Sequence, residues 1–279
     1  MLPTIEFFDH QVSRLICGGN PQSGYSHFSS AMDQEMIDYY TMPMIQQLLD
    51  NCLRHGINTF QSRGDRHQMR AFHEHQLNGG QIKWIAQTAS EFANQPAHIS
   101  ELARYQPIAI YNHGTLTDNY WHTGRIDEIR EIIHAIHDQG LPAGVGTHIP
   151  EVLEYIEEQG WDVDFYLCCF YNLARSYKSA PAVDQDAYAR DRFPAEDPPR
   201  MTAVMRGITK PCLGFKILAA TRNCTTPEAT RAAFAYAYSS IKPTDAVVVG
   251  MFPKYRDQIA ENAGYTQELL APKGKPELA

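Results

Sequence analysis

One lysine interrupts an apolar run that reads as a buried strand: Lys216 in CLGFKILAA, residues 212–220. An isolated ammonium loses much solvation on burial, so this amine must be paired, deprotonated or drawn out to water. Strand alternation puts Lys216 on one face with Gly214 and Leu218, opposite Phe215, Ile217 and Ala219, whose bulk suits a helix-covered exterior. An inward amine has two chemical uses. Neutral, it attacks a carbonyl carbon; charged, it stabilises developing oxyanion charge. Other chemistry-bearing residues end similar runs: His113 ends IAIYNHG, His148 ends PAGVGTH, and Cys169, Tyr171 and Asn172 end DFYLCCFYN. His113 and His148 with Cys169 or Asp118 could offer three ligands to a divalent metal, although no local spacing of the H-E-x-x-H kind supports one. Arg63 and Asp65 follow INTFQS and suit an anionic or polyhydroxy substrate. Arg222, Lys254 and Arg256 form a cationic group around the last strand candidate, suited to phosphate where a helix begins.

Such residues need a frame that brings run ends together. Eight strand-like runs occur in order: 14–19, 57–62, 83–89, 108–114, 142–148, 164–172, 212–220 and 246–252. Helical periodicity fills the gaps. MPMIQQLLDNCLRHG places Ile45, Leu48, Leu49 and Cys52 on one face with Gly56 as a stop, and GRIDEIREIIHAIHDQG carries an isoleucine stripe ending at Gly140. Alternation of this kind predicts an α/β chain with a parallel sheet and right-handed crossovers, and eight units close as one (β/α)8 TIM barrel over residues 1–279. Two connections exceed ordinary joints, Asn20 to Thr41 and Leu173 to Pro199. Both leave the C-terminal face, where barrel active sites lie, and Tyr177, Tyr188 and Phe193 suggest that the second packs. His73, His75, His134 and His137 are expected on outward helix faces.

Composition narrows the partners. A net charge of -8 gives no basic footprint for nucleic acid, no apolar run is long enough to span a bilayer, and the amino-terminal residues lack a signal-peptide pattern. The six cysteines form no C-x-x-C pair and read as reduced thiols of a cytoplasmic protein whose partner is a small molecule. Nothing in the sequence indicates an oligomeric state.

Several of these patches resemble the aldo-keto reductases. VSRLICGGNPQSG is similar to that family's opening strand, LLDNCLRHGINTFQS to its first helix and second strand, and AGVGTHIPEVLEYI to the stretch after strand five. AVVVGMFPKYRDQIAEN is similar to its last strand and cofactor-clamping helix, closing in Glu261 and Asn262. The resemblance implies an NADP(H)-dependent barrel using a tyrosine acid with lysine, aspartate and histidine. Of those four only the histidine is retained, as His113; Gln61 stands at the aspartate, Asp65 near the tyrosine and Thr88 near the lysine. The carboxamide-binding pair becomes Gly146 and Thr147, the strand-six glutamine becomes Cys168, and the ring-stacking tyrosine falls close to Lys216. Reduction here would therefore need a different proton donor.

The expectation is an aldo-keto-reductase-like barrel enzyme acting on a carbonyl or sugar-like substrate. His113, Lys216, His148 and Asp65 would serve catalysis, and Arg63, Gln61, Asp118, Tyr171 and Asn172 would contact substrate. Arg222, Lys254, Arg256, Glu261 and Asn262 would hold NADP(H). Two alternatives stand beside it. One is a non-redox lyase, aldolase or isomerase using a Lys216 Schiff base or a metal at His113 and His148. The other is a non-catalytic nucleotide-binding barrel.

Overall fold

Eight parallel strands carry the chain around a closed barrel: β3 (Leu15–Gly18), β4 (Thr59–Arg63), β5 (Lys83–Gln87), β6 (Ala109–Asn112), β7 (Ala143–Thr147), β8 (Phe165–Cys169), β9 (Cys212–Phe215) and β10 (Ala246–Gly250). The barrel closes where β10 pairs with β3, Val248 opposite Ile16 and Gly250 opposite Gly18. The structure, a computed structural model, describes residues 2–176 and 191–272. Tyr177 and Tyr188, expected to pack in the second long connection, lie outside the described residues.

Seven of the eight predicted runs contain one of these strands and overshoot it, because their last residues spill into the rim loops, whereas β4 runs one residue past its predicted end at 62. Alternation then sorts the side chains. On β8, Phe165 and Leu167 join an interior cluster with Ile16, Ile85 and Leu213, whereas Tyr166 and Cys168 pack outward beneath the helices. Gly144 on β7 makes room for the interior: a Cβ there would lie 2.5 Å from Cζ of Phe165. A fully buried phenylalanine of this kind contributes about 1.5–3 kcal/mol.

A hairpin precedes the barrel, β1 (Thr4–Phe7) and β2 (His10–Ser13), paired antiparallel. Its Ile5, Phe7 and Val12 are buried within the interior cluster, and Phe7 meets Phe165 edge-on at 5.1 Å. The hairpin lies ahead of the first predicted strand, and the period-two alternation in TIEFFDHQVS carries its signal.

The helices are α1 (Ser30–Tyr39), α2 (Met42–Arg54), α3 (Arg66–Leu77), α4 (Gln95–Ala103), α5 (Gly114–His122), α6 (Ile129–His137), α7 (Pro150–Glu158), α8 (Asp197–Gly207), α9 (Pro227–Ser240) and α10 (Gln258–Leu270). α1 lies inside the first long connection, capped by Ser29, whose hydroxyl accepts from Met32 N at 3.2 Å. His75 is not a surface residue. It is buried on α3, 3.7 Å from Asp50.

Candidate active site

The rim residues fall around two cavities. The larger, about 280 Å³, is bounded by Gly18 and Gly19 after β3, Gln61 on β4, and Phe215 and Lys216 at the end of β9, and it reaches Arg256 and Asn262 at the start of α10. The smaller, about 40 Å³, is lined by His148, Cys169 and Asn172 with Arg175, Asp197 and Arg200. His148 and Cys169 therefore share a cavity that Lys216 does not line, and His113 lines neither.

Lys216 follows the last residue of β9 with φ of +60°. The face assigned by alternation is corrected: Leu213 lies in the barrel interior with Phe215 packed against the same cluster, and Gly214 faces Phe170 and Met205 outside. The left-handed residue breaks the strand's alternation, so Lys216 lines the cavity together with Phe215 instead of opposite it. Its Nζ is shielded from solvent and has no hydrogen-bond partner among the described residues. Burial lowers its pKa; Cys169 and Asp191 pull back toward the charged form, and Arg222 pushes the same way as burial. The loop beyond is strained, with Ala219, Ala220 and Thr221 also at positive φ.

Two residues unflagged by sequence lie within electrostatic reach of the amine. His27, at φ +54° in the loop after β3, lies 3.4 Å from Asp191 in the connection after β8. Burial, then the charge of Lys216, lowers the His27 pKa to about 4. Burial alone would raise Asp191, but its hydrogen bond to His27 and the neighbouring charges, Lys216 included, hold it low. The available signal was the length of these two connections, which marked the loops without marking a residue.

His113 follows β6 at the start of α5. Its backbone N–H donates to Thr88 Oγ1 at 3.1 Å and its Nδ1 lies 3.3 Å from Ser90 Oγ. Burial, with Arg63, His148 and His27 nearby, lowers its pKa to about 3, so the ring is neutral. His148 follows β7 and lies against a buried carboxylate: Nδ1 is 2.6 Å from Asp118 Oδ2. Asp118 Oδ1 accepts from the Thr147 hydroxyl at 2.6 Å and the His148 backbone N–H at 3.2 Å. Asp118, expected to contact substrate, is thus occupied by protein groups. Burial pushes the Cys169 thiol up to about 12, so it is not a thiolate at neutral pH. Among the described residues no group of three His, Cys, Asp or Glu side chains is placed to hold a metal ion, so His113, His148 and Cys169 do not assemble as ligands.

Gln61 donates through Nε2 to the Tyr111 hydroxyl at 2.7 Å, which donates onward to Gln87 Oε1 at 2.6 Å. Several other expected contacts have structural tasks. Asp65 caps α3, accepting from Gln68 N at 3.0 Å, and does not line either cavity. Arg63 pairs with Glu91 and lies 3.8 Å from Asp65. The Tyr171 hydroxyl accepts from Asn223 at 2.9 Å, and the Asn172 carboxamide accepts from Ala174 N at 3.2 Å.

The expected cationic group disperses. Arg222 donates to the carbonyls of His27, Ala219 and Ala220, with its guanidinium over the rings of Phe28 and Phe193 at 5.6 and 4.2 Å. It holds three loops together. Lys254 pairs with Glu35 at 2.7 Å and faces a neighbouring groove. Of the three cations only Arg256 lines the larger cavity, with its Nε 3.3 Å from Glu261. Asp257 already caps α10 through Ala260 N at 3.0 Å. A guanidinium with the carboxamides of Gln258 and Asn262 remains at that end, a donor set that fits a phosphorylated nucleotide.

No protein-family model and no curated protein matches this sequence. Solved structures do resemble it. Gox0644 in its apo form aligns over 99% of this chain and 96% of its own, at 11% identity and a TM-score of 0.59. The holo form of aldo-keto reductase AKR11C1 from Bacillus halodurans covers 96% of this chain and 95% of its own, at 12% identity and 0.54. A truncated 3-deoxy-D-arabino-heptulosonate 7-phosphate synthase from Thermotoga maritima covers 96% and 90%, at 10% identity and 0.53. Among the described residues no helix is long and apolar enough to cross a membrane. The chain is a single closed (β/α)8 barrel, the fold it shares with barrel enzymes that include an aldo-keto reductase.

Proposed function

We propose that this barrel is an enzyme acting on a small carbonyl or sugar-like compound, with Lys216 as the group that engages the carbonyl. The observation carrying this reading is the Lys216 amine itself: shielded from solvent, without a hydrogen-bond partner among the described residues, on a residue that lines a cavity of about 280 Å³. An amine kept from water in this way is costly unless a ligand completes its surroundings. With its pKa lowered it offers a lone pair for addition to a carbonyl carbon, releasing water to give an imine that a proton from solvent converts to the iminium. Gln61, fixed by Tyr111, supplies an amide on the same wall for a substrate hydroxyl. Turnover of a panel of small hydroxyaldehydes and hydroxyketones by the wild type and by Lys216→Met tests this, and a variant that turns over at the wild-type rate would defeat it.

A second reading has its own observation. The cavity runs on to Arg256, Gln258 and Asn262, beside the strand–helix join that resembles the aldo-keto reductase clamp. Arg256 would hold the phosphate of NADP(H), Gln258 and Asn262 the base, and Glu261 would hold Arg256. Bound there, the nucleotide would supply hydride chemistry, while Lys216 would polarise the substrate oxygen. Calorimetric titration with NADPH separates the two. Micromolar binding that weakens in Arg256→Ala supports the redox version, whereas no binding at millimolar nucleotide leaves carbonyl chemistry at Lys216 alone. Nucleotide binding without any turnover would mark a binding barrel instead.

A further inference from the structure

From the Asp118 and His148 geometry we infer that His148 is a general base acting through Nε2 and that Asp118 is its positioning residue. The inference rests on the reading of Lys216 as the carbonyl-engaging amine and adds the group that moves the proton. Asp118 is 1% exposed, and a carboxylate so deep must be satisfied by donors. Oδ1 receives the Thr147 hydroxyl at 2.6 Å and the His148 backbone N–H at 3.2 Å, the latter also reaching Oδ2 at 3.4 Å, and Oδ2 faces Nδ1 of the His148 ring. A carboxylate only accepts, so Nδ1 carries a proton, and in the neutral ring Nε2 keeps its lone pair. The His148 side chain retains 14% exposure and lines the smaller cavity.

The base and the amine line neighbouring cavities, with Phe215 in contact with both. The His148 ring packs edge-on against Phe215 at 5.6 Å, and Phe215 precedes Lys216 and lines the same cavity. Cys169, beside His148 in the smaller cavity, feels the charge of Lys216. His113 and His27, two other rim imidazoles, are each held toward the neutral form by burial. The step follows. Lys216 Nζ adds to the substrate carbonyl, and the carbinolamine takes up one proton from solvent as water leaves, forming an iminium. His148 Nε2 then takes the proton from the α-carbon, and the C–H electron pair becomes the carbon–carbon double bond of the enamine as the iminium nitrogen is neutralised. Returning the proton from His148 reverses the step, so no oxidant or reductant is needed.

Asp118→Asn is the discriminating variant. The backbone N–H of His148 can only donate, so the asparagine oxygen must stay beside it and the amide NH₂ must face Nδ1. The ring is then forced to carry its proton on Nε2, which removes the base while keeping the fold's hydrogen bonds. Nitrogen-15 NMR of histidine-labelled protein, with His148→Gln assigning the resonance, reads the tautomer directly. Exchange of the α-protons of hydroxyacetone in deuterium oxide, followed by proton NMR, reads the chemistry. We expect protonated Nδ1 in the wild type, protonated Nε2 in Asp118→Asn, and an exchange rate lower by up to about ten-thousand-fold, the size of tautomer inversion at a catalytic histidine. Borohydride capture of hydroxyacetone on Lys216 should persist in the variant. Inverted tautomer with wild-type exchange, or a wild type with Nδ1 unprotonated, overturns the role of His148 and leaves Lys216 standing. Absence of capture in the wild type removes the Lys216 reading. His148 is then judged by exchange alone: no difference between wild type and His148→Gln rejects it. Should Asp118→Asn fail to fold, His148→Gln supplies the same exchange comparison.

Discussion

Replacing Lys216 by methionine should make the protein more stable while abolishing its chemistry. The two side chains have similar length, and both are β-unbranched residues at the same φ of +60°, so the backbone strain is common to them. What changes is the amine. Nζ is buried without a hydrogen bond among the described residues, and a buried unsatisfied polar group costs about 1–3 kcal/mol. Methionine removes that cost and keeps the packing of the stem. Attraction between the amine and Asp191 is lost, an offset of about 1 kcal/mol or less for a partly solvated partner that also holds His27. The net expectation is a gain of about 1–2 kcal/mol, which for a chain of this size raises Tm by about 2–4 °C. Differential scanning calorimetry and urea unfolding at pH 7 measure it, with turnover assayed on the same samples. A variant that melts several degrees lower would show that the amine supports the scaffold, and the reasoning from an unpartnered Nζ would fail.

Other consequences follow from the same structure. His98 is buried with Nε2 accepting from Ala89 N at 3.1 Å, and burial, then Arg63 and Arg66, lowers its pKa from 6.5 to about 4. The unfolded chain therefore takes up this proton first as pH falls: stability is complete above about pH 6.5 and falls toward pH 4 by about 3 kcal/mol, at about 1.4 kcal/mol per pH unit. His98→Gln should flatten that limb, and an unchanged pH profile of urea midpoints would refute it. Asp65→Ala, removing the cap of α3, should cost about 1 kcal/mol in urea unfolding and leave turnover intact; lost turnover in a folded variant would restore Asp65 to the site. Gly144→Ala drives a Cβ into the Phe165 ring and should destabilise by about 1–3 kcal/mol, and a neutral result in the same unfolding assay would mean the interior repacks freely.

The barrel was legible because its signals are local and repeated. All eight strands coincide with runs whose apolar content and spacing mark them, β4 alone extending one residue beyond its run, and helices end where Gly56 and Gly140 adopt positive φ. The site was legible only as a set of run ends. Lys216 was found by its chemical incongruity, but its face was misassigned, since a left-handed residue after Phe215 has no sequence signature when the residue is lysine. Asp118 and Asp65 looked like free acids. What distinguishes them is that one sits under Thr147 and His148 across a helix–strand gap, and the other caps its own helix. The pairing of His27 with Asp191 joins residues far apart in the chain through two long loops, and only the fold brings them together. Arg222, Lys254 and Arg256 formed a cluster in sequence but not in space, because Arg222 turned to backbone carbonyls and Lys254 to Glu35.

The most direct test of the account is covalent capture at Lys216. Wild-type protein is incubated with hydroxyacetone and sodium borohydride, digested, and mapped by peptide mass spectrometry. The account predicts a reduced adduct on the peptide bearing Lys216, absent in Lys216→Met and suppressed when a competing small hydroxyketone fills the cavity. Uniform low labelling of exposed lysines such as Lys254, with Lys216 unmodified, would contradict the claim that this amine engages a carbonyl.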